Sequence, residues 1–267
     1  MIKLIMSDMD GTLLKDNGQL PEGFDEVMTE LKKRGVLFGP ASGRQYYSLL
    51  DSFPAYENEF LFVAENGTMV KYQQKELFSS PIRKSFAFQV MEAGLKLPDI
   101  FCVYCGKKDA YIVEEQEKPE YLAELAKYYT HNSVVKDFRE VDDEVIKVSF
   151  YDKTGHASKT IYPHLQQFQG RMQVVRSSDF WVDVMCFGIN KGLALQQVQK
   201  KLRISPMECA VFGDYLNDLE IMSSAYYSFA MANAHHKIKE VARFETTSNE
   251  EGGVLAGIRR LMDEGLI

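Results

Sequence analysis

The sequence predicts an α/β protein: a parallel-sheet core interrupted by an inserted α+β module. Three observations carry that expectation. Short apolar runs alternate with helical patterns toward both ends of the chain, whereas the middle is richer in strand-like runs than in helices. Small polar and acidic clusters follow directly on several apolar runs. In open α/β sheets, that position lies outside the carboxyl ends of the strands, where ligands bind.

Taken in order, Ile2 to Met6 is a continuous apolar run and reads as a buried strand. Phe24, Val27, Met28 and Leu31 recur at i, i+3, i+4 and i+7, one face of a helix, with Pro21 in its first turn and Gly35 at its C-terminal cap. Val36 to Gly39 is a second short strand, and Pro40-Ala41-Ser42-Gly43-Arg44 leads into a helix from Gln45. Phe60 to Ala64 is a third strand, after which Asn66-Gly67 turns the chain into Thr68 to Tyr72 as a hairpin.

Within 82–186, strand-like runs at 101–105, 111–113, 145–151, 173–177 and 180–185 outnumber helical stretches at 86–95, 120–129 and 157–168. Alternation then resumes with helix Lys191 to Leu202, strand Cys209 to Phe212, short helix Asp218 to Ser224, strand Tyr226 to Met231 and helix Gly253 to Met262. Strands separated by helices imply parallel pairing through right-handed crossovers. Residues 1–81 and 187–267 are therefore expected to form one discontinuous core, with 82–186 as a separate inserted domain.

The 267 residues are 45% hydrophobic and 26% charged, ordinary for a globular enzyme, and 31 basic against 38 acidic residues leave a net charge of −7. With no long basic run, the chain lacks the footprint of a nucleic-acid surface. The apolar N-terminus is too short for a signal peptide, and no stretch approaches the roughly 20 apolar residues of a membrane span. The expectation is a cytoplasmic protein with no nucleic-acid or membrane partner, and no feature chooses between a monomer and a homodimer. Cys102 and Cys105 have redox spacing, but an odd offset along a strand puts them on opposite faces, so buried, inert thiols are expected. His131, His156, His164, His235 and His236 have no metal-ligand spacing, and His235-His236 reads as a solvated helix start.

Four features carry chemistry: Asp8-Met9-Asp10-Gly11-Thr12, Ser42-Gly43-Arg44, Lys191 in Asn190-Lys191-Gly192, and Gly213-Asp214-Tyr215-Leu216-Asn217-Asp218. Apart from the first, each alone is an ordinary turn, cap or surface charge. Their order, each at a strand–helix junction, makes coincidence a poor account. Two acids in such a crevice can divide nucleophilic and proton-transfer work and together hold a divalent cation. A hydroxyl and free amides at a helix start can hold an anion.

The set D-M-D-G-T-L, A-S-G-R, E-N-G, N-K-G and G-D-x-x-N-D resembles the motifs of the haloacid dehalogenase superfamily, and specifically its Cof-type branch of Mg2+-dependent phosphatases. Ala230-Met231-Ala232-Asn233-Ala234 resembles that branch's usual loop after the next strand. The resemblance implies a Rossmann-like parallel-sheet core with an inserted α+β cap that selects substrates. It implies that Asp8 attacks phosphorus to form an aspartyl-phosphate, while Asp10 protonates the leaving oxygen and later deprotonates the hydrolytic water. It implies Mg2+ held by Asp8, the Asp10 carbonyl and Asp214, supported by Asp218. Ser42, Lys191, Asn217 and the amides of Met9 and Gly43 would surround the phosphoryl oxygens, and Thr12 would orient the acidic loop beside them.

A carboxyl at position 10, where the superfamily's ATP-driven pumps carry Thr, favours rapid hydrolysis. The departures from the pattern are small: Asn190 stands where Ser or Thr is commoner, Ala64 precedes the E-N-G turn, and Glu65 and Asn66 read as structural turn residues. Arg139, Lys147, Arg176, Asp179, Trp181 and Asp183 are the inserted domain's candidates to face a substrate. The implied activity is hydrolysis of a small phosphate ester, sugar phosphates foremost, with nucleotide, flavin-precursor and pyridoxal phosphates open. A phosphomutase and a non-catalytic sugar-phosphate sensor are the alternatives.

Overall fold

In the computed structural model, which describes residues 1–267, the first apolar run forms strand Leu4–Ser7, buried along its whole length. It pairs in parallel with Leu37–Pro40 on one side and with Cys209–Gly213 on the other. The sheet continues through Tyr227–Ala230 to Phe244–Glu245, five strands in all. The chain thus leaves the first strand toward one edge and returns from its far end to the other. Strand order reverses beside Leu4–Ser7, the position at which open α/β sheets bind their ligands.

Both faces of this sheet are covered, which is why its strands read as apolar runs rather than as alternations. On one face Leu4, Met6, Cys209 and Val211 pack with Ala194, Leu195 and Val198 of helix Lys191–Leu202 and with Ile221 and Met222 of helix Leu219–Ser224. On the other, Phe212 and Phe229 stack with centroids 4.8 Å apart, and helix Gly253–Asp263 lies so close at Gly257 that a Cβ would be 2.4 Å from the Phe212 ring. The E-N-G turn joins Leu61–Ala64 to the antiparallel strand Met69–Tyr72, with Lys75–Ser79 completing a three-stranded sheet. Lys75–Ser79 and Phe244–Glu245 were not anticipated; one is polar and partly exposed, and the other is two residues long.

The chain divides into two compact units. Met1–Ser42, Phe53–Phe78 and Asn190–Ile267 form the first, and Gly43–Ser52 with Ser79–Ile189 the second. The expected core at 1–81 includes helix Tyr46–Ser52, but that helix groups with the second unit. The reason is local: Gln45 Nε2 donates to the His131 carbonyl (2.9 Å), and Ser48 Oγ donates to the Tyr128 carbonyl (2.7 Å) while accepting from the Thr130 amide (3.1 Å).

The second unit is built on a six-stranded sheet. Its order is Met172–Arg176, Trp181–Cys186, Val145–Asp152, Ile100–Gly106, Ala110–Val113 and Asn132–Val135, antiparallel except for the last pair. Ala87, Val90 and Met91 of helix Lys84–Leu95 pack on the face that bears Cys102, Val148 and Phe150. Tyr121 and Leu125 of helix Pro119–Tyr128 cover the opposite face, which bears Phe101, Val103 and Cys105. Cys102 and Cys105 therefore lie in different cores, neither in a disulfide, and burial pushes the Cys102 thiol up. The helix expected at 157–168 is broken into Ala157–Thr160, Tyr162–Leu165 and a tight turn at Gln166–Phe168. Pro163 lacks the amide hydrogen that would continue the ladder, and its ring crowds the preceding turn. No helix is long and apolar enough to cross a membrane.

The strand Leu37–Pro40 is followed by a parallel bridge between Ala41 and Val63, and a Cβ at Gly39 would lie 1.8 Å from the Leu61 carbonyl oxygen. A backbone atom cannot yield as a flexible side chain does. Gly39→Ala is expected to destabilise the first unit by about 3 kcal/mol, at the upper end of ordinary overpacking. Chemical denaturation of the wild type and the variant checks this.

Candidate active site

Asp8 stands one residue beyond the first strand, with its amide donating to the Phe212 carbonyl (3.0 Å) across the sheet. The chain then curls back on itself. The amides of Thr12 and Leu14 donate to the Met9 carbonyl (3.3 and 2.9 Å), and the Leu13 amide donates to the Asp8 carbonyl (3.2 Å). Gly11 makes the curl possible in two ways. Its φ of 77° favours glycine, and a Cβ there would lie 2.5 Å from the Asp214 carboxylate. Thr12, buried at the same turn, donates its hydroxyl to Asp214 Oδ1 (2.7 Å).

Asp214 follows the neighbouring parallel strand, Cys209–Gly213. Asp218 closes the loop after it, its Oδ2 accepting from the amides of Asp214 (3.1 Å) and Tyr215 (3.3 Å). Asp218 Oδ1 accepts from Lys191 Nζ (2.7 Å), and the same ammonium donates to Asp8 Oδ1. Lys191 is fully buried at the first turn of helix Lys191–Leu202. Asn190 caps that helix, its Oδ1 accepting from the Leu193 amide (2.8 Å), so the departure from Ser or Thr there preserves the cap.

Oxygens of Asp8, Asp214 and Asp218 lie within 4.8 Å of one another. Burial first, and then the neighbouring carboxylates of Asp218 and Asp214, raise the Asp8 pKa well above the ordinary value against the opposing pull of Lys191. Asp214 is pushed up to about 6, chiefly by burial and then by Asp218, although the Thr12 hydroxyl works the other way. Burial opposes the charge on Lys191, but Asp218 and Asp8 more than offset it and raise its pKa. Three ionised carboxylates around one ammonium leave two negative charges uncompensated. An all-oxygen donor set with that deficit fits a hard divalent cation such as Mg2+.

Ser42 is buried two residues beyond strand Leu37–Pro40. Its amide donates to the Val63 carbonyl (2.9 Å), and its carbonyl accepts from the Asn66 amide (2.9 Å). Asn66 Oδ1 in turn accepts from Asn217 Nδ2 (3.3 Å). Glu65 and Asn66 have φ of 52° and 55°, so their turn role is plain, and that strained turn also links Ser42 to Asn217. Met9 is buried and Asp10 exposed on the acidic loop. Gly43 belongs to the second unit, where its carbonyl accepts from Lys147 Nζ (3.1 Å).

The structure therefore gathers Asp8, Thr12, Lys191, Asp214 and Asp218 into one cluster and joins Ser42 to Asn217 through Asn66. Two braces complete the acidic loop. Asn233 Nδ2 donates to the Gly11 carbonyl (2.8 Å), and Asn249 Nδ2 donates to the Leu14 carbonyl (3.0 Å) and to Asp16 Oδ1 (2.9 Å). Asn249 was missed, since an asparagine in a polar loop carries no sequence signal that it is buried. Among the inserted domain's candidates, Lys147, Trp181 and Asp183 are buried. Trp181 sits in the apolar cluster with its Nε1 donating to Glu124 (3.2 Å), while Arg139, Arg176 and Asp179 are exposed.

The sequence model of haloacid dehalogenase-like hydrolases matches residues 5–258. A 5-amino-6-(5-phospho-D-ribitylamino)uracil phosphatase of Escherichia coli K12 is 33% identical over 268 aligned positions, covering 98% of this chain and 96% of that protein. The crystal structure of SMU.1108c from Streptococcus mutans UA159 superposes with a TM-score of 0.88 at 27% identity, over 98% of this chain and all (100%) of that one. The subclass IIB sugar phosphatase BT4131 has a TM-score of 0.82 at 18% identity over 99% of this chain and 100% of its own, a likeness of fold.

The raised carboxyl pKa values have a definite consequence for stability. An aspartate near 3.9 in the unfolded chain and about 6 when folded holds its proton more tightly in the folded state. Its stabilising contribution is thus present below the unfolded value and is lost as pH rises through about 6. In chelator, wild-type protein is expected to lose melting temperature relative to Asp214→Asn as pH rises from 4 to about 7. Added Mg2+ is expected to recover that loss in wild type above pH about 6 and much less in the variant. Thermal melts of both proteins across that range, with and without Mg2+, check it.

Proposed function

The chain belongs to the haloacid dehalogenase-like hydrolases, in their Cof-type branch, and is a phosphoric monoester hydrolase; we propose that it is an Mg2+-dependent phosphatase of small phosphorylated metabolites that works through an aspartyl-phosphate. The observation that carries this reading is the buried Asp8 carboxylate, held by Lys191 beside Asp214 and Asp218 at the end of a central parallel strand.

Phosphoryl transfer demands positioning and charge neutralisation above all. Asp8 has a fixed direction, because its backbone is tied to the next strand and its carboxylate to Lys191. In the proposed reaction it attacks phosphorus and the ester oxygen leaves. The Lys191 ammonium, fixed by Asp218, offsets charge between two anions that would otherwise repel. Asp10, on the exposed side of the loop, gives its proton to the leaving oxygen and then takes one from the water that cleaves the aspartyl-phosphate. Mg2+ bound through Asp8, the Asp10 carbonyl and Asp214, with Asp218 in support, would supply Lewis-acid stabilisation of the phosphoryl oxygens. Ser42, Asn217 and the amides of Met9 and Gly43 hold those oxygens, and Thr12 keeps Asp214 oriented.

Sugar and polyol phosphates are the proposed substrate class, with the inserted domain at 82–186 choosing among leaving groups. The relative from Escherichia coli, named for a phosphorylated ribityl compound, supports an ester on a hydroxylated carbon chain.

The test is phosphate release from a panel of sugar, polyol and nucleoside phosphates, with and without Mg2+. Wild type is expected to turn over at least one of the sugar or polyol esters only with the metal, and Asp8→Asn to fall to background. Asp10→Asn is expected to lose about 100- to 10,000-fold in rate, the range for a general acid–base group. Turnover that survives in Asp8→Asn, or a product that is an isomeric phosphate rather than free phosphate, would overturn the reading.

A further inference from the structure

Lys147 is 1% exposed, yet it is a cation in the middle of a sheet strand, Val145–Asp152. Burying an ammonium is costly unless it is paired and hydrogen-bonded. Asp183 is the obvious counter-ion, 3% exposed on the adjoining strand. The pair is nonetheless loose: Lys147 Nζ lies 3.7 Å from Asp183 Oδ2 but 3.1 Å from the Gly43 carbonyl oxygen. Asp183 is satisfied from elsewhere, its Oδ1 accepting from Ser149 Oγ (2.6 Å) and its Oδ2 from Ser177 Oγ (2.5 Å). The ring of Tyr129 lies 5.4 Å from the same ammonium and supports its charge. The ammonium thus lies closer to a main-chain carbonyl than to the Asp183 carboxylate.

That carbonyl belongs to a residue with a job. The Ser42 carbonyl is held by the Asn66 amide (2.9 Å), and no peptide in the chain is cis. In a trans peptide the C=O and N–H point in opposite directions, so this bond directs the Gly43 N–H away from Asn66. The next peptide is the one whose carbonyl Lys147 holds. Gly43 lies between these two planes without a side chain to restrict it, and glycine has the greatest freedom to rotate there. Asn66 and Lys147 fix the two planes on either side of it.

We propose that Lys147 is a positioning residue for phosphate binding: by holding the Gly43 carbonyl it fixes the peptide plane after Gly43 and so limits rotation about that glycine, whose N–H, in the plane before it, is offered to the phosphoryl group. This rests on the phosphatase reading, in which the Ser42-Gly43 segment holds phosphoryl oxygens. Lys147 itself touches no substrate in this account. Its neighbours carry the same load, since Gln45 and Ser48 anchor the rest of the 43–52 segment to the backbone at 128–131.

The experiment is calorimetric titration of inorganic phosphate into the full-length protein with Mg2+ present, together with steady-state kinetics on the best ester. Lys147→Met is expected to weaken phosphate binding about tenfold, the low end for losing a charged hydrogen bond. KM should rise by a similar factor with a smaller change in kcat, because the nucleophile and its Lys191 partner are untouched. Lys147→Arg, which keeps a donor and its charge, is expected to restore most of the affinity. Asp183→Asn removes the counter-charge, which costs folding stability, but leaves the contact with Gly43; the folded variant should bind phosphate within about threefold of wild type.

Wild-type phosphate affinity in folded Lys147→Met would overturn the proposal. So would a tenfold loss in folded Asp183→Asn, which decides the matter if Lys147→Met does not fold. Ser42→Ala separates this proposal from the reading beneath it. If it loses phosphate affinity while Lys147→Met does not, only the role of Lys147 fails. If wild type binds no phosphate and Ser42→Ala changes nothing, the phosphate site itself is wrong and both fall.

Discussion

One buried ammonium holds this site together. Lys191 is shared between Asp8 and Asp218 in a region that also contains Asp214, and none of the three acids could be buried ionised so close together without it. The shortfall shows in the raised pKa values of Asp8 and Asp214. A folded chain tolerates such a cluster only where its surroundings leave the groups nowhere else to go. Here a parallel sheet covered on both faces supplies that constraint, with apolar layers dense enough that several glycines approach neighbouring atoms more closely than a Cβ would allow.

The geometry follows from where the chain reverses its strand order. Asp8 and Asp214 leave adjacent parallel strands one residue past their ends, and Lys191 enters from a helix that packs under the same sheet. Each loop then secures its own acid. Gly11 makes room for Asp214, Thr12 holds it, and Asp218 ties down the two amides beside it. Electrostatic stabilisation by preset groups needs this rigidity, because a charge that must reorganise during reaction contributes less. Asn233 and Asn249 extend the brace to the backbone of the acidic loop.

The fold is shared with proteins as little as 18% identical, so the fold alone says nothing about the ester cleaved. The second unit's sheet, antiparallel except for one pair, has a buried polar patch on one face, formed by Lys147, Ser149 and Asp183. That unit also takes in Gly43–Ser52, so the residue after Ser42 belongs to it and Ser42 does not. The chain passes from one unit to the other at the Ser42–Gly43 peptide bond.

The sequence by itself determined four of the five strands of the parallel sheet, the strand-rich middle of the chain and the residues of the acid cluster. Those features are local: apolar runs report strands buried on both faces, and Asp, Gly, Ser and Lys at strand–helix junctions report their chemistry in place. It also placed Cys102 and Cys105 on opposite faces, because strand geometry has a period of two. Tertiary structure decided what depends on distance in space. The Asn66–Asn217 contact joins residues 151 positions apart, and the Asn249 brace to Leu14 joins residues 235 apart, with nothing local to mark either. The transfer of helix Tyr46–Ser52 to the second unit rests on Gln45 and Ser48 meeting a backbone that is distant in sequence. Burial of Lys147 and Asp183 was equally hidden, since a charged residue on a strand reads as solvent-facing until the layer that covers it is known.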